Sequence, residues 1–263
     1  MSSRARWFIC FLLFAAALLN YLDRQTLSVS ASHIADEMHL GDAELGWLFF
    51  GFLFSYGIAQ LFIGPLLDRF HVVTAYAVAV VAWSLVGAGT ALATGFAGLF
   101  AVRLLLGVCE SPNWPLALRV TARVFPPHQR SLAIGIFQSG ASIGALIAPP
   151  VIIWLTHSWN WRTAFVVCGA LGLVWVILWR VGSRQLMTER TDLPAGLDRG
   201  EPGPAADQSP STMGGILRSR AFWGLAVATI FMNPLNYLYA TWLPRYFENY
   251  AGVEFGQALA TKL

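Results

Sequence analysis

Four ionisable side chains stand inside apolar sequence where a charge is rare. Arg103 and Glu110 belong to RLLLGVCESPNWP (103–115), within the apolar segment Phe96 to Val120, and Asp23 and Arg24 belong to NYLDR (20–24). Arg103, Gly107 and Glu110 are spaced i, i+4, i+7, so on a helix they share one face and both charges look into the same space. A charge at the bilayer centre costs roughly 2.5–3.5 kcal/mol on insertion scales, so it normally faces a bundle interior or a wet cavity. Arginine there suits the carboxylate of an anion, because its planar fork accepts it through two hydrogen bonds and stays charged. A desolvated carboxyl suits proton exchange, because burial and a neighbouring cation move its proton affinity in opposite directions. Two readings stay open for Arg103 and Glu110: a binding site at mid-membrane, or a structural salt bridge locking two helices. Pro112 and Pro115 follow within the segment, each removing a backbone donor and favouring a kink just beyond the charges. Asn20 and Arg24 are four apart with Asp23 adjacent, which puts an acid and a base near one end of the first helix or in the cavity it lines.

The elements that carry these residues are membrane spans. Of 263 residues, 56% are hydrophobic and 12% charged, about half the charge of a soluble domain. Several apolar runs reach the roughly 20 residues a spanning helix needs, so the fold class is all-α and polytopic. The net charge of +3 does not point to nucleic acid, because the basic residues are mostly arginines in short loops. Cys10, Cys109 and Cys168 all lie in apolar segments without metal-ligand spacing and read as small buried hydrophobes. His33, His39, His71, His128 and His157 fall in or near loops, and none pairs at ligand spacing, so no metal or cofactor is assigned. An intramembrane enzyme would need a nucleophile with its base, or a metal set. Neither HExxH nor paired aspartates on GxGD-like motifs occurs.

The N-terminus resembles a signal peptide, with Arg4 and Arg6 before an apolar run. That run continues into NYLDRQTL, so Trp7 to Leu27 is read as an uncleaved first span. The next spans are placed at Glu44 to Leu67, Val72 to Ala93, Phe96 to Val120, Ser131 to Leu155 and Thr163 to Val181. Arginine alternates by connection: none in Ser28 to Ala43, Arg69 in the next, none in Thr94–Gly95, then Arg119, Arg123 and Arg130, and only Arg162 in the fifth. By the positive-inside rule the N-terminus is cytoplasmic. Residues 1–181 are thus expected to form a six-helix bundle. Residues 182–219, rich in Pro, Gly, Asp and Arg, read as a flexible cytoplasmic linker. Residues 220–263 read as the start of a second bundle, with a seventh span from Phe222 to Phe247 interrupted at Asn233–Pro234 and an eighth helix cut short. Tryptophans 7, 47, 154, 159, 161, 223 and 242 lie near span ends, as interfacial anchors do, although Trp242 also suits a place facing substrate.

These motifs resemble a known family. GPLLDRF (64–70) is similar to the GxxxDR signature of the major facilitator superfamily. NYLDR, RLLLGVCESPNWP, FPPHQRSLAIGIFQSGASIGALIAPP (125–150), NWRTAF (160–165) and TWLPRYF (241–247) resemble its anion:cation symporter branch. That branch contains hexuronate, galactonate and glucarate permeases and vesicular glutamate and sialic acid carriers. One departure is visible: His71-Val72-Val73 follow Phe70 where the motif usually ends in a basic residue, so Arg69 is left to carry the cytoplasmic contact.

The resemblance implies a six-helix half of a major facilitator fold plus the first helix of the other half, in the inner (plasma) membrane. It implies a secondary transporter that carries a small organic anion such as a sugar acid by alternating access, with the proton as coupling ion and no other cofactor. Partners are then the anion and the lipid bilayer, and the full-length protein is expected to be a monomer. Tyr21, Arg24, Tyr56, Arg103, Gln138 and Tyr237 are candidates for the substrate's carboxylate and hydroxyls, with Asn20, Gln60, Ser139, Asn233, Asn236 and Thr241 offering further polar groups. For each hydroxyl or amide, interhelical bonding is at least as good a reading. The resemblance further implies that Asp23 and Glu110 take up protons while Arg24 and Arg103 attract the anion, each acid beside an arginine on its own helix. Gly64, Asp68 and Arg69 form the candidate cytoplasmic gating motif. Gly140 and Gly144 read as a GxxxG packing face. An exporter or antiporter of another substrate class, or a non-transporting membrane sensor, remains as an alternative; two arginines in the cavity repel a cationic substrate.

Overall fold

The computed structural model describes residues 2–184 together with residues 219, 220, 222–224, 227, 231, 238, 242 and 246. The described residues are almost wholly helical. The linker expected at 182–219 lies outside them except at its edges. The seventh span is described only at isolated positions, and the opening of an eighth helix lies outside. So do Asn233, Asn236, Tyr237 and Thr241.

Helix α1 (Ser3–Val29) opens on a cap in which the Ser2 hydroxyl accepts from the Ala5 amide. A short helix, α2 (Ala31–Met38), follows at once. Then come α3 (Asp42–Leu67), α4 (Val72–Gly89) with a 3-10 turn at Thr90–Leu92, α5 (Phe96–Glu110), α6 (Asn113–Val124), α7 (Pro127–Ser158) and α8 (Trp161–Gly182). Five of these stretches are long and apolar enough to cross a membrane: α1, α3, α4 with its 3-10 turn, α7 and α8. The protein is a multi-pass membrane protein.

Two expectations change. The apolar segment Phe96 to Val120 is not one helix but two, α5 and α6, broken at Ser111–Pro112. The connection Ser28 to Ala43 is not all loop, because α2 fills half of it. That helix turns its apolar Ile34 and Ala35 inward, and its end at His39 takes a left-handed conformation (φ 54°). α1, α3, α7 and α8 run up to a few residues beyond the expected spans, whereas α4 with its 3-10 turn stops one residue short.

Small residues let the helices close on one another. α1 packs chiefly on α7, α3 on α5, and α4 on α8. A Cβ on Gly140 or Gly144 would collide with the carbonyls of Phe14 or Leu18, so α7 lies against the α1 backbone itself. Gly169 and Gly172 do the same for α8 against Ser84 and Ala88 of α4. Residues 140–144, GASIG, spell the Gly-x-Ser-x-Gly pattern in letters. In hydrolases that pattern is a strand–turn–helix elbow; here it is continuous helix with Ser142 exposed. Cys10 and Cys168 are buried and unpaired. Trp175 and Trp179 stack at 5.2 Å, fully buried, and donate their indole N–H to the carbonyls of Leu12 and Val73. They thereby tie α8 to α1 and α4.

The bundle is fastened at both ends. At one end Arg119 of α6 donates to the Asp68 carboxylate (2.6 Å) and the Gly64 carbonyl (3.3 Å), whereas Arg69 is exposed. Arg119, and not the neighbouring Arg69, holds the acid of the 64–70 motif. At the other end Glu37 of α2 accepts from the Trp161 indole (2.6 Å) and from Arg162. Arg162 also donates to the carbonyls of Ala91 and Ala93. Trp161, expected as an interfacial anchor, is buried and part of this clasp. His33 and His157, which showed no pairing in sequence, bring their rings to 6.2 Å at the same end.

The clasp yields a pH signature. Hydrogen bonds from Arg162, then Trp161, hold the Glu37 carboxyl below the usual carboxylate range. A group lowered on folding adds stability that is complete above its unfolded value and is lost as pH falls through the folded one. Thermal melts of the detergent-solubilised protein between pH 7 and pH 3 should show this loss in wild type, and Glu37→Gln should melt lower at pH 7 with a flatter pH slope. An unchanged slope in the variant would remove Glu37 from the balance.

Candidate functional site

The site begins on the inward face of α1. Asn20, Asp23 and Leu27 share that face at i, i+3, i+7 and are all buried. Arg24 stands beside them, facing α3 and α5. Its guanidinium lies over the rings of Tyr56 (4.7 Å), Phe52 (5.1 Å) and Tyr21 (5.4 Å). Cation–π attraction of this kind is worth more as water is removed. The Arg24 Nε donates to Glu110 Oε2 at 2.7 Å. Glu110 is fully buried and Arg24 is 15% exposed.

This pair crosses from α1 to α5. The acid of one span is held by the arginine of the other, rather than by the arginine of its own helix. Helix periodicity could place Glu110 and Arg103 on one face, but not decide which helix that face meets. Arg103 is 2% exposed. Its Nε and Nη2 have no hydrogen-bond partner among the described residues, and its guanidinium lies 5.8 Å from the Phe165 ring centroid. Asp23 lies within electrostatic reach of Arg103, Arg24 and Glu110. Two arginines and two carboxyl side chains thus occupy one buried cluster.

The approach of α3 to α5 sets this geometry, and Gly107 permits it. A Cβ there would run into the Ser55 hydroxyl, reach the Phe52 carbonyl at 2.5 Å, and stand 2.9 Å from the Tyr56 amide. Gly107 sits one turn from Arg103 and from Glu110, so any displacement moves both charges.

Arg24 and Arg103 open onto a cavity of about 290 Å³, near the lower end of the ~300–1,000 Å³ usual for small-ligand sites. Apolar side chains of α3, among them Phe49, Phe52 and Leu53, make most of the remaining wall. Leu238 and Trp242 complete it, and Trp242 meets Phe49 edge-on at 5.8 Å. An apolar pocket with two convergent cations is the form of a site for a small anion.

The other expected residues fall as follows. Tyr21 and Tyr56 come together around Arg24. Gln138 and Ser139 are exposed on α7, away from this cavity wall, and Ser139 donates to its own helix at Ile136. Tyr237 lies outside the described residues. Gln60 does not face the cavity cations: it donates to the Ser111 carbonyl. Gly64 and Asp68 sit at the far end with Arg119. Phe52 and Phe49 are the parts of the site that sequence reasoning missed. Their signal was the i, i+3, i+7 spacing with Tyr56 along α3, hidden because that helix is apolar all round.

Comparison with known proteins agrees with this architecture. The Major Facilitator Superfamily profile matches residues 13–261, and the chain belongs to that family, a class of transporters and not of enzymes. It is 30% identical over 246 residues to a galacturonate transporter of Dickeya chrysanthemi, covering 91% of this chain and 71% of that one. It is 30% identical to the hexuronate transporter of Escherichia coli K12, covering 91% of this chain and 56% of that one. The chain therefore spans little more than half the length of several curated relatives it matches. Among solved structures, a bacterial homologue of the human lysosomal transporter Spinster, inward-facing and unoccupied, superposes with a TM-score of 0.78. It is 22% identical and covers 98% of this chain and 58% of that one; the likeness shows the fold.

Gly107 offers a direct test of the site's construction. Gly107→Val forces a side chain into backbone, so overpacking should destabilise by about 1–3 kcal/mol. Thermal melting of the solubilised full-length protein would show it, and a wild-type midpoint would mean that α3 and α5 do not meet at this residue.

Proposed function

We propose that this chain carries the anion- and proton-handling half of a symporter for a small organic anion of the sugar-acid type. The observation that carries the reading is the buried Arg24–Glu110 pair on the wall of a cavity that also receives Arg103. The names of the relatives, transporters of galacturonate and hexuronate, support the substrate class.

The mechanism follows from charge balance. Ionised Asp23, Arg24, Arg103 and Glu110 sum to zero, which suits a poorly solvated cluster. An incoming carboxylate would leave the cluster one negative charge in excess. A proton taken up by Glu110 or Asp23 restores neutrality. Protonation of Glu110 also weakens its hold on Arg24, whose guanidinium is then available to the substrate. Arg103 supplies the Nε and Nη2 donors that lack partners among the described residues. Tyr21 and Tyr56 sit beside the cation to take hydroxyls. The loaded, neutral assembly reorients, and release on the other side returns the proton. In this reading no cofactor is needed, the N-terminus is cytoplasmic, the protein works as a monomer in the inner (plasma) membrane, and the Gly64–Asp68–Arg69 end is the cytoplasmic gate, fastened by Arg119.

Two experiments on the full-length protein test it. Arg24→Lys and Arg103→Lys keep the charge but lose the fork. D-galacturonate affinity should fall at least about tenfold, roughly 1.4 kcal/mol, and wild-type affinity in both variants would sink the carboxylate assignment. Glu110→Gln fixes a neutral side chain of the same shape. In proteoliposomes it should exchange labelled for unlabelled galacturonate yet fail to concentrate it under a pH gradient. Concentration with wild-type pH dependence would return Glu110 to a structural role and make Asp23 the leading proton carrier.

A further inference from the structure

The break between α5 and α6 comes directly after Glu110, and the two carbonyls that its prolines strand each find a side-chain donor. Proline has no N–H, so it strands the carbonyl four residues earlier. Pro112 strands Val108, and the Ser111 hydroxyl donates to that carbonyl at 2.8 Å. Pro115 strands Ser111, and the Gln60 amide donates to that carbonyl at 2.9 Å. The first repair is local. The second comes from another span, because Gln60 lies on α3, one turn from Tyr56 in the Arg24 cage. A third bond flanks the break: the buried Tyr76 hydroxyl of α4 donates to Asn113 Oδ1 at 2.8 Å, at the first residue of α6.

We propose that Gln60 is a positioning residue for transport: by taking the carbonyl that Pro115 leaves stranded, it latches α3 to the break and fixes where Glu110 stands against Arg24. This rests on the transport reading above and deepens it. Glu110 is the last residue of α5, so the direction of its side chain depends on how the chain leaves that helix. A stranded carbonyl at mid-membrane costs several kcal/mol, so the break either keeps the Gln60 bond or rearranges to find another donor. The latch thus has two states with different placements of Glu110, and Gln60 selects the one in which the Arg24 pair forms. The amide touches neither cavity cation, so its effect passes through the backbone of residues 110–113.

The arrangement carries its own control. Pro115→Ala restores the missing N–H, which can then bond the Ser111 carbonyl along the helix and make Gln60 dispensable. The experiment is a cycle of Gln60→Leu, Pro115→Ala and the double variant in the full-length protein. Hydrogen exchange by mass spectrometry over residues 111–118 and the pH midpoint of galacturonate uptake are the readouts. Exchange in Gln60→Leu should quicken about tenfold, the loss of one net hydrogen bond. The uptake midpoint should move by about half a pH unit or more, and the double variant should recover both. Gln60→Met serves the same cycle if the leucine variant does not fold. Wild-type exchange in Gln60→Leu, an unmoved midpoint, or no recovery with Pro115→Ala would each overturn the latch. No galacturonate uptake by wild type would instead fail the substrate reading, and the exchange cycle would still decide whether Gln60 holds the break.

Discussion

Arg24 and Glu110 give up nearly all their water when the bundle closes, and neither could do so alone. A buried charge without its partner costs several kcal/mol, and removing one member of a buried pair typically destabilises by about 3–5 kcal/mol. The pair therefore fixes the distance between α1 and α5 as firmly as any apolar contact. Around it the packing follows. Gly107 lets α3 come close enough for Tyr56 and Phe52 to cover the guanidinium. Gly140 and Gly144 bring α7 onto the other side of α1. What looks like a set of separate motifs in the chain is one arrangement for keeping two opposite charges together out of water.

The charged residues themselves were legible because apolar sequence makes them conspicuous. Five of the span positions and the GxxxG packing face were legible for a related reason: length, hydropathy and residue size are properties of a segment by itself. Which acid meets which arginine was not. Asp23–Arg24 and Arg103–Glu110 suggest partners within each helix, yet a side chain one position along points about 100° away, and the structure pairs across helices instead. The break in the fourth span was half legible. Pro112 and Pro115 announce stranded carbonyls, but nothing in the sequence tells that Gln60 answers one of them from fifty-one residues away. Helix α2 escaped notice because eight residues are too few to show a period clearly.

The ends of the bundle use charge differently from its centre. Arg119–Asp68 and Arg162–Glu37 are partly exposed, so solvent screens them and each contributes little by Coulomb attraction alone. Their value lies in geometry. Arg119 also holds the Gly64 carbonyl, and Arg162 two carbonyls in the turn after α4, so each guanidinium gathers backbone from a second element beside its carboxylate partner. Arg69 stays in the open, with no such carbonyl partner among the described residues.

The four-charge cluster has an electrical consequence. Moving one elementary charge through a membrane potential of 100 mV involves about 2.3 kcal/mol of work. Asp23, Arg24, Arg103 and Glu110 cancel when all are ionised, and they sit in one compact group. Moved together relative to the bilayer, they present the field with a set of dipoles and no net charge. In the transport reading proposed above, return of the empty protein then moves no net charge through these four residues, and the membrane voltage does not act on that step through them.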